Sequence, residues 1–338
     1  MICIIKNNCF KAQYLKSLKL IIGLVSESSP VDSITVDDPQ SFESNIFKQL
    51  DQEDQKILRR SFDGDIISSK TKVIEKIVID ENGELEDSAK IFSPQEAITY
   101  LKESLSILVE NGFHDGTFIK QIITFFGKDR HRIALDKCKF EFDNSGGCQN
   151  VTNTINGKLL SFKNKSKFLR FFVLWDSDRN YPNEPVKKYK KEEAFLQKLN
   201  IKYHILEKRA MENYLPIDAY QALSFPRQKK WFESYKNLSD TQKDYYNIAD
   251  GFKYAGKVYS FSQKKDISIT TNGLFNNLPE SVWNWLSNGL NISHFKEAIP
   301  KKFEDYSICN YKSLNERIVN QLDPNEFKNI IGKLDLTL

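Results

Sequence analysis

At 338 residues the chain is long enough for about two domains on the usual allotment of roughly 100–200 residues each. Hydrophobic residues make up 40% and aromatics 12%, with 24 Phe and 14 Tyr, which excludes a wholly disordered chain. The net charge of +4 hides an asymmetry: residues 1–100 hold 12 Lys+Arg against 17 Asp+Glu, a net of −5, which leaves +9 for the remainder. A basic body points to an anionic partner, although Lys-rich surfaces also simply solvate a chain.

Five cysteines (Cys3, Cys9, Cys138, Cys148, Cys309) are odd in number and contain no CxxC pair. Neither a disulfide framework nor a zinc site is expected, and a reducing cytoplasmic location is. No run reaches the ~18 apolar residues of a membrane-spanning helix. Residues 18–25 follow several lysines as the core of a signal peptide does, but Lys19 interrupts them and no small-residue cleavage site follows.

In chain order, residues 1–100 form an acidic N-terminal α+β region with strand-like runs such as KVIEKIVID at 72–80, closed by a turn at ENGE. Residues 101–222 alternate short apolar runs with longer helical patterns. A strand is expected at 106–111 (SILVEN), a helix at 117–126, a strand at 137–142 (KCKFEF), then the Gly146-Gly147 turn and a helical segment. A third strand at 168–178 (FLRFFVLWDSD) precedes a helix at 186–199 and a fourth strand at 202–208 (KYHILEK). The third run is nearly apolar throughout, as a strand buried on both faces is. The β-α-β-α-β-α-β order predicts an α/β fold with a mostly parallel sheet flanked by helices. Residues 223–338, rich in Trp, Tyr, Phe, Asn and Lys, read as a mainly helical C-terminal region.

Ligands of open parallel sheets gather at the carboxyl ends of the strands. The first strand of the central region runs into Glu110 and the third into Asp176 and Asp178, which share a face if the backbone stays extended. Carboxylates converging at one sheet edge raise each other's pKa. A bound Mg²⁺ or Mn²⁺ relieves that conflict and can activate water and clamp a phosphoryl group. A solvated strand exit is the alternative reading of a lone DxD.

Four segments in order carry a family resemblance. ILVENGFHDGTFIKQI (107–122) looks like the opening Glu-turn-helix motif of the Toprim fold, and VLWDSDR (173–179) resembles its DxD motif. DNSGGCQNV (143–151) resembles the glycine turn of nucleases of the OLD type, and ILEKRAMENYLP (205–216) is similar to the L-E-x-R-x-x-E-N-Y-L segment of OLD-like and stand-alone Toprim proteins. The resemblance covers about a third of the chain. It implies divalent-metal-dependent phosphodiester cleavage, as in antiphage effectors, with Glu110 as metal ligand or general base, Asp176 and Asp178 as ligands and Glu212 as a further acid of the site. Lys208 or Arg209 would hold a substrate phosphate. The family places a second acid four positions after the first, where this chain has His114, so that Asp115 takes the role only if the turn carries one extra residue.

Other readings stand beside these. Glu207 and Arg209 could form a surface ion pair, Tyr214 and Leu215 read as core anchors, and Gly146-Gly147 as an ordinary turn or a phosphate-approaching loop. Basic clusters (Lys158, Lys163, Lys165, Lys167 and Arg170; Lys187, Lys188, Lys190 and Lys191) flank the third strand, and Lys229 and Lys230 adjoin Trp231 and Tyr235. Charge interleaved with aromatic faces suits single-stranded or distorted nucleic acid, DNA or RNA. No P-loop is present, so an ATPase, or a retron-type regulatory partner, would be a separate chain; an oligomer is compatible with the sequence and a membrane role is not expected. The second reading is a non-catalytic Toprim-fold adaptor, to which the altered Glu110–Asp115 spacing lends support.

Overall fold

Every apolar run singled out between residues 101 and 222 becomes a strand, and all four pair in parallel. The computed structural model describes residues 2–28, 33–68, 76–83, 90–112, 115–144, 146, 148–221, 226–254, 256–292 and 294–335. His114, Gly147 and the first part of the 72–80 run therefore lie outside the described residues. The N-terminal region contributes β1 (Ile2–Ile5), β2 (Ser33–Val36), β3 (Lys76–Ile79) and β4 (Ile91–Phe92), which form a second parallel sheet in the order β2-β1-β3-β4. The 18–25 run lies in the Leu15–Ser28 helix, whose Leu18, Ile21, Ile22 and Val25 are buried in that sheet's core.

The central sheet comprises β5 (Leu105–Val109), β6 (Phe140–Asn144), β7 (Phe171–Trp175) and β8 (Lys202–Ile205), in the order β6-β5-β7-β8. Its strands are shorter than the apolar runs suggest, each for a local reason. The 168–178 run opens in a 3₁₀ turn at Ser166–Phe168 and leaves the sheet after Trp175. The second strand starts late because the Asp129–Asp136 helix and a left-handed Cys138 (φ 54°) precede it. The expected 186–199 helix begins only at Lys190.

Alternation along β5 and β7 divides the core. Ile107, Val109, Phe172 and Leu174 face the Asp115–Phe126 helix and the C-terminal region. Leu108, Phe171, Val173 and Trp175 face Val151 and Leu196 from the two other helices, so both faces of the sheet are covered. One apolar cluster takes residues from both 101–222 and 223–338, running from Leu105 to Leu334. The C-terminal region consists of short helices and one antiparallel pair, Lys253–Tyr254 with Lys257–Val258. No helix among the described residues is long and apolar enough to cross a membrane.

The N-terminal region is tied on by charge. Lys167, 5% exposed, donates to the carbonyls of Gly83 (2.7 Å) and Ile91 (3.0 Å) and to Glu96 (2.9 Å). Lys165 joins Glu96, Lys158 pairs with Glu103, and Arg170 donates to the carbonyls of Tyr100 and Glu103. Of the five cations expected just before the third strand as part of a nucleic-acid surface, Lys165, Lys167 and Arg170 thus hold the N-terminal region to the central sheet, and Lys158 is paired at the junction.

The last helix, Glu326–Asp335, docks through one buried carboxylate. Glu326 accepts from the Tyr214 hydroxyl (2.6 Å), the Glu207 N–H (2.7 Å) and Gln321 (2.8 Å), with His204 Nε2 2.8 Å away. Burial alone would raise its pKa, but His204, Tyr214 and the Glu207 N–H reverse that and hold the carboxyl below the usual range. Replacement by Ala leaves several buried donors without an acceptor, and we expect a loss of about 3–5 kcal/mol, read as a lower urea midpoint. A depressed carboxylate stabilises only while ionised. The gap between wild type and Glu326→Gln should therefore hold above about pH 4.5 and close as pH falls through the lower folded value.

Candidate functional site

β5 and β7 are the inner strands of the central sheet, and the chain leaves them in opposite directions, toward β6 and toward β8. Such a switch point opens a crevice beyond the carboxyl ends. Glu110 follows the last residue of β5 and Asp176 the last of β7, so both stand on that crevice. Asp115 is the first residue of its helix; its Oδ2 accepts from the Asn111 N–H at 2.8 Å, and its own N–H donates to the Asn111 carbonyl. The turn between them requires Gly112, where a Cβ would stand 2.4 Å from the Phe142 carbonyl oxygen. Glu212 arrives on the 3₁₀ turn Met211–Tyr214, which is latched to β7 because Asp176 Oδ1 accepts from the Met211 N–H at 3.1 Å.

Glu110, Asp115, Asp176 and Glu212 line one cavity of about 540 Å³. The longer spacing from Glu110 to Asp115 does not remove Asp115 from the cluster. Burial, and then the charges of Glu212, Asp115, Asp178 and Glu110, push the Asp176 carboxyl well above the ordinary range. Burial likewise pushes Asp115 up to about 7, opposed by the Asn111 N–H and reinforced by Glu110 and Glu212. Glu212 is raised, mainly by burial. Ion pairs among the described residues fall on the rim, where Lys296 lies 3.4 Å from Glu110 and Lys188 pairs with Asp178. The Glu110 charge raises the pKa of Lys296 in turn.

Several expected site residues do other work. Asp178 does not share a face with Asp176: the backbone turns left-handed at Asp178 (φ 53°), which sends its half-exposed carboxylate to the rim. Lys208 is no phosphate contact. Its side chain is 1% exposed and bound to Asp244 (2.6 Å) and to the Arg317 carbonyl, and burial pushes its pKa down to about 7. Arg209 donates to the carbonyls of Asp178 and Arg179 and to Asn180 Oδ1 (2.7 Å), bracing the loop after β7; the partner of Glu207 is Arg179, not Arg209. Lys229 and Lys230 lie on the Pro226–Lys236 helix and line no part of the cavity. Trp231 and Tyr235, expected beside them as stacking platforms, are each 1% exposed and stack on one another in the core. Tyr214 and Leu215 are the core anchors they were expected to be. Gly146 lines the cavity with φ +56°, its N–H donating to the Glu110 carbonyl.

Sequence reasoning missed Lys296, Phe295, Asn291 and Asp250, which close the cavity from the C-terminal region. No motif marks them, because they meet Glu110 only through the shared core.

The donor set at the crevice is all oxygen, which suits Mg²⁺ or Mn²⁺ rather than a sulfur-seeking metal. Carboxylates that stay raised although Lys296 lies in the same lining fit a site that a divalent cation would neutralise. Among the described residues no three His, Cys, Asp or Glu side chains already close around one point, so a cation would have to draw the carboxylates together. No family model matches the chain, and no curated protein or solved structure matches it.

A carboxyl raised in the folded state costs stability wherever it must ionise. For Asp115 that cost is complete above about pH 7 and vanishes as pH falls toward its ordinary value, because the folded form then keeps a proton that the unfolded form lacks. We expect Asp115→Asn and Asp176→Asn, in chelator, to melt a few degrees above wild type at pH 8. The gain should shrink on going to pH 5, in thermal scans at each pH.

Proposed function

We propose that the chain is a nuclease that hydrolyses phosphodiester bonds of DNA or RNA with Mg²⁺ or Mn²⁺ held by Glu110, Asp115, Asp176 and Glu212. The observation that carries this reading is the convergence of four carboxylates, from three segments of the chain, on the switch point of a parallel sheet with a lysine at the lip. The resemblance of those three segments to Toprim nucleases supports it. When bound, the metal would supply an activated water and charge neutralisation at the phosphoryl oxygens.

The chain's own residues have separable tasks. The Met211 N–H fixes Asp176, and through it the distance between β7 and Glu212. Asp115, whose Oδ2 is held by the Asn111 N–H, has its other carboxyl oxygen left for a cation or for the proton of an attacking water. Lys296 can leave Glu110 for a non-bridging phosphate oxygen, since its side chain is 82% exposed. Asp178 with Lys188, braced by Arg209, shapes the rim. By the same resemblance we assign the chain to antiphage defence in the cytoplasm, working with a separate ATPase or retron-type partner.

A second reading, a non-catalytic adaptor that binds nucleic acid or a partner ATPase, is favoured by the absence of a preformed three-residue metal cage among the described residues. Calorimetry and cleavage separate the two. Supercoiled plasmid, single-stranded DNA and total tRNA are each incubated with Mg²⁺ or Mn²⁺. We expect cutting that chelator abolishes and that Glu110→Ala or Asp176→Ala slows by more than about 100-fold, the upper end for loss of an outer-shell metal partner. Failure of wild type to bind either cation would sink the nuclease reading and leave the adaptor.

A further inference from the structure

Beside the carboxylates the cavity lining has an apolar part. Ile292, Phe295, Ile299, Pro300 and Phe303 form it. Ile299 and Phe303 are buried in the core, with the Phe303 ring 5.1 Å from that of Phe118, whereas Ile292 and Phe295 keep exposed surface. The Thr117 hydroxyl donates to the Pro300 carbonyl at 3.0 Å. Phe118 and Thr117 belong to the helix that begins at Asp115, so the apolar wall and the acidic wall are fixed to one element. The amide side chains of Asn111, Asn144 and Asn291 also line the cavity.

A volume of about 540 Å³ falls within the range of small-ligand pockets, and suits one nucleotide with its waters rather than a double helix. A nucleotide whose phosphate reached Glu110 and Lys296 would have Ile292 and Phe295 of the same lining available to its sugar and base. In a duplex those bases are stacked and paired inside the helix, and the wall would meet only sugar and phosphate. In an unpaired strand the base is free to lie on an aromatic face, which stabilises binding without regard to sequence.

We infer that this cavity takes one unpaired nucleotide, its base on Phe295 and Ile292 and its phosphate toward the carboxylates, which makes the substrate class single-stranded nucleic acid. The inference rests on the nuclease reading for the placement of the phosphate, and its test reads binding rather than cleavage. An oligonucleotide carrying 2-aminopurine, whose fluorescence is quenched by stacking, is titrated with the protein in Ca²⁺, both as a single strand and annealed to its complement.

The single strand should bind at least about 10-fold tighter than the duplex and be quenched. Phe295→Ala should weaken single-strand binding roughly 5- to 100-fold and remove the quench. Phe295→Leu, which keeps an apolar contact in the wall, should lose the quench too, whereas Phe295→Tyr should keep it. Equal affinity for duplex and single strand, or a quench that survives both Phe295→Ala and Phe295→Leu, would overturn the inference. Cleavage of both forms in Mg²⁺ without a quench removes the base pocket and leaves the nuclease. A quench without cleavage under any divalent cation does the reverse.

Discussion

Negative charge held together beyond the ends of β5 and β7 is the constraint around which this molecule is built. Four carboxylates beyond the strand ends and a fifth, Asp250, from the C-terminal region face one cavity, with Lys296 the one ammonium among its described lining residues. Left to relax, such a cluster would spread into solvent or protonate, and the raised carboxyls of Asp115 and Asp176 record how far the scaffold resists. It resists because each acid is placed by backbone rather than by a flexible tether. Glu110 and Asp176 continue fully buried parallel strands, Asp115 begins a helix, and Glu212 sits on a turn whose first N–H is bound to Asp176.

The turn bearing Glu212 shows how the surrounding side chains divide that task. Every polar residue near it in ILEKRAMENYLP has a bolting role. Arg209 braces the loop after β7, Asn213 donates to the carbonyls of Lys243 (2.7 Å) and Tyr246 (2.9 Å), and Tyr214 reaches Glu326. Lys208 is buried against Asp244, which also receives Arg317 at 3.0 Å. These contacts run into the C-terminal region. A short turn that must carry a buried acid has little core of its own, and here it borrows the core formed with residues 223–338. The pattern of the segment is thus explained by what presents Glu212, with Glu212 alone facing the cavity among its acidic residues.

What could be read in the sequence and what could not divides along the range of the interactions. The parallel sheet, Glu110 and Asp176 were legible because apolar runs of strand length end in acids, a pattern local to a few residues. The common face of Asp176 and Asp178 was misjudged because a single left-handed residue redirects a strand exit, and Asp178 has no glycine to announce it. Lys208, Trp231 and Tyr235 were misjudged for a different reason: a cation or an aromatic ring looks the same in sequence whether it meets solvent or a buried carboxylate. Lys296 and Phe295 lie more than a hundred residues from Glu110, Asp115 and Asp176, and nothing short of the packed core brings them there.

The basic character of the body also changes meaning once partners are assigned. Lys165, Lys167 and Arg170 face a carboxylate or carbonyls of the N-terminal region, Lys158 pairs with Glu103 just beyond it, and Lys128 and Arg130 hold Asp335 of the last helix. These cations are internal mortar, so the net +9 overstates the field available to an approaching phosphate. On the proposed nuclease reading, what steers a phosphate toward the carboxylates would therefore act at short range. Lys296 and Lys188 meet that requirement, because each sits on the rim beside an exposed acid from which it can be exchanged. An ammonium paired at low cost to a solvent-exposed carboxylate is a cation in reserve.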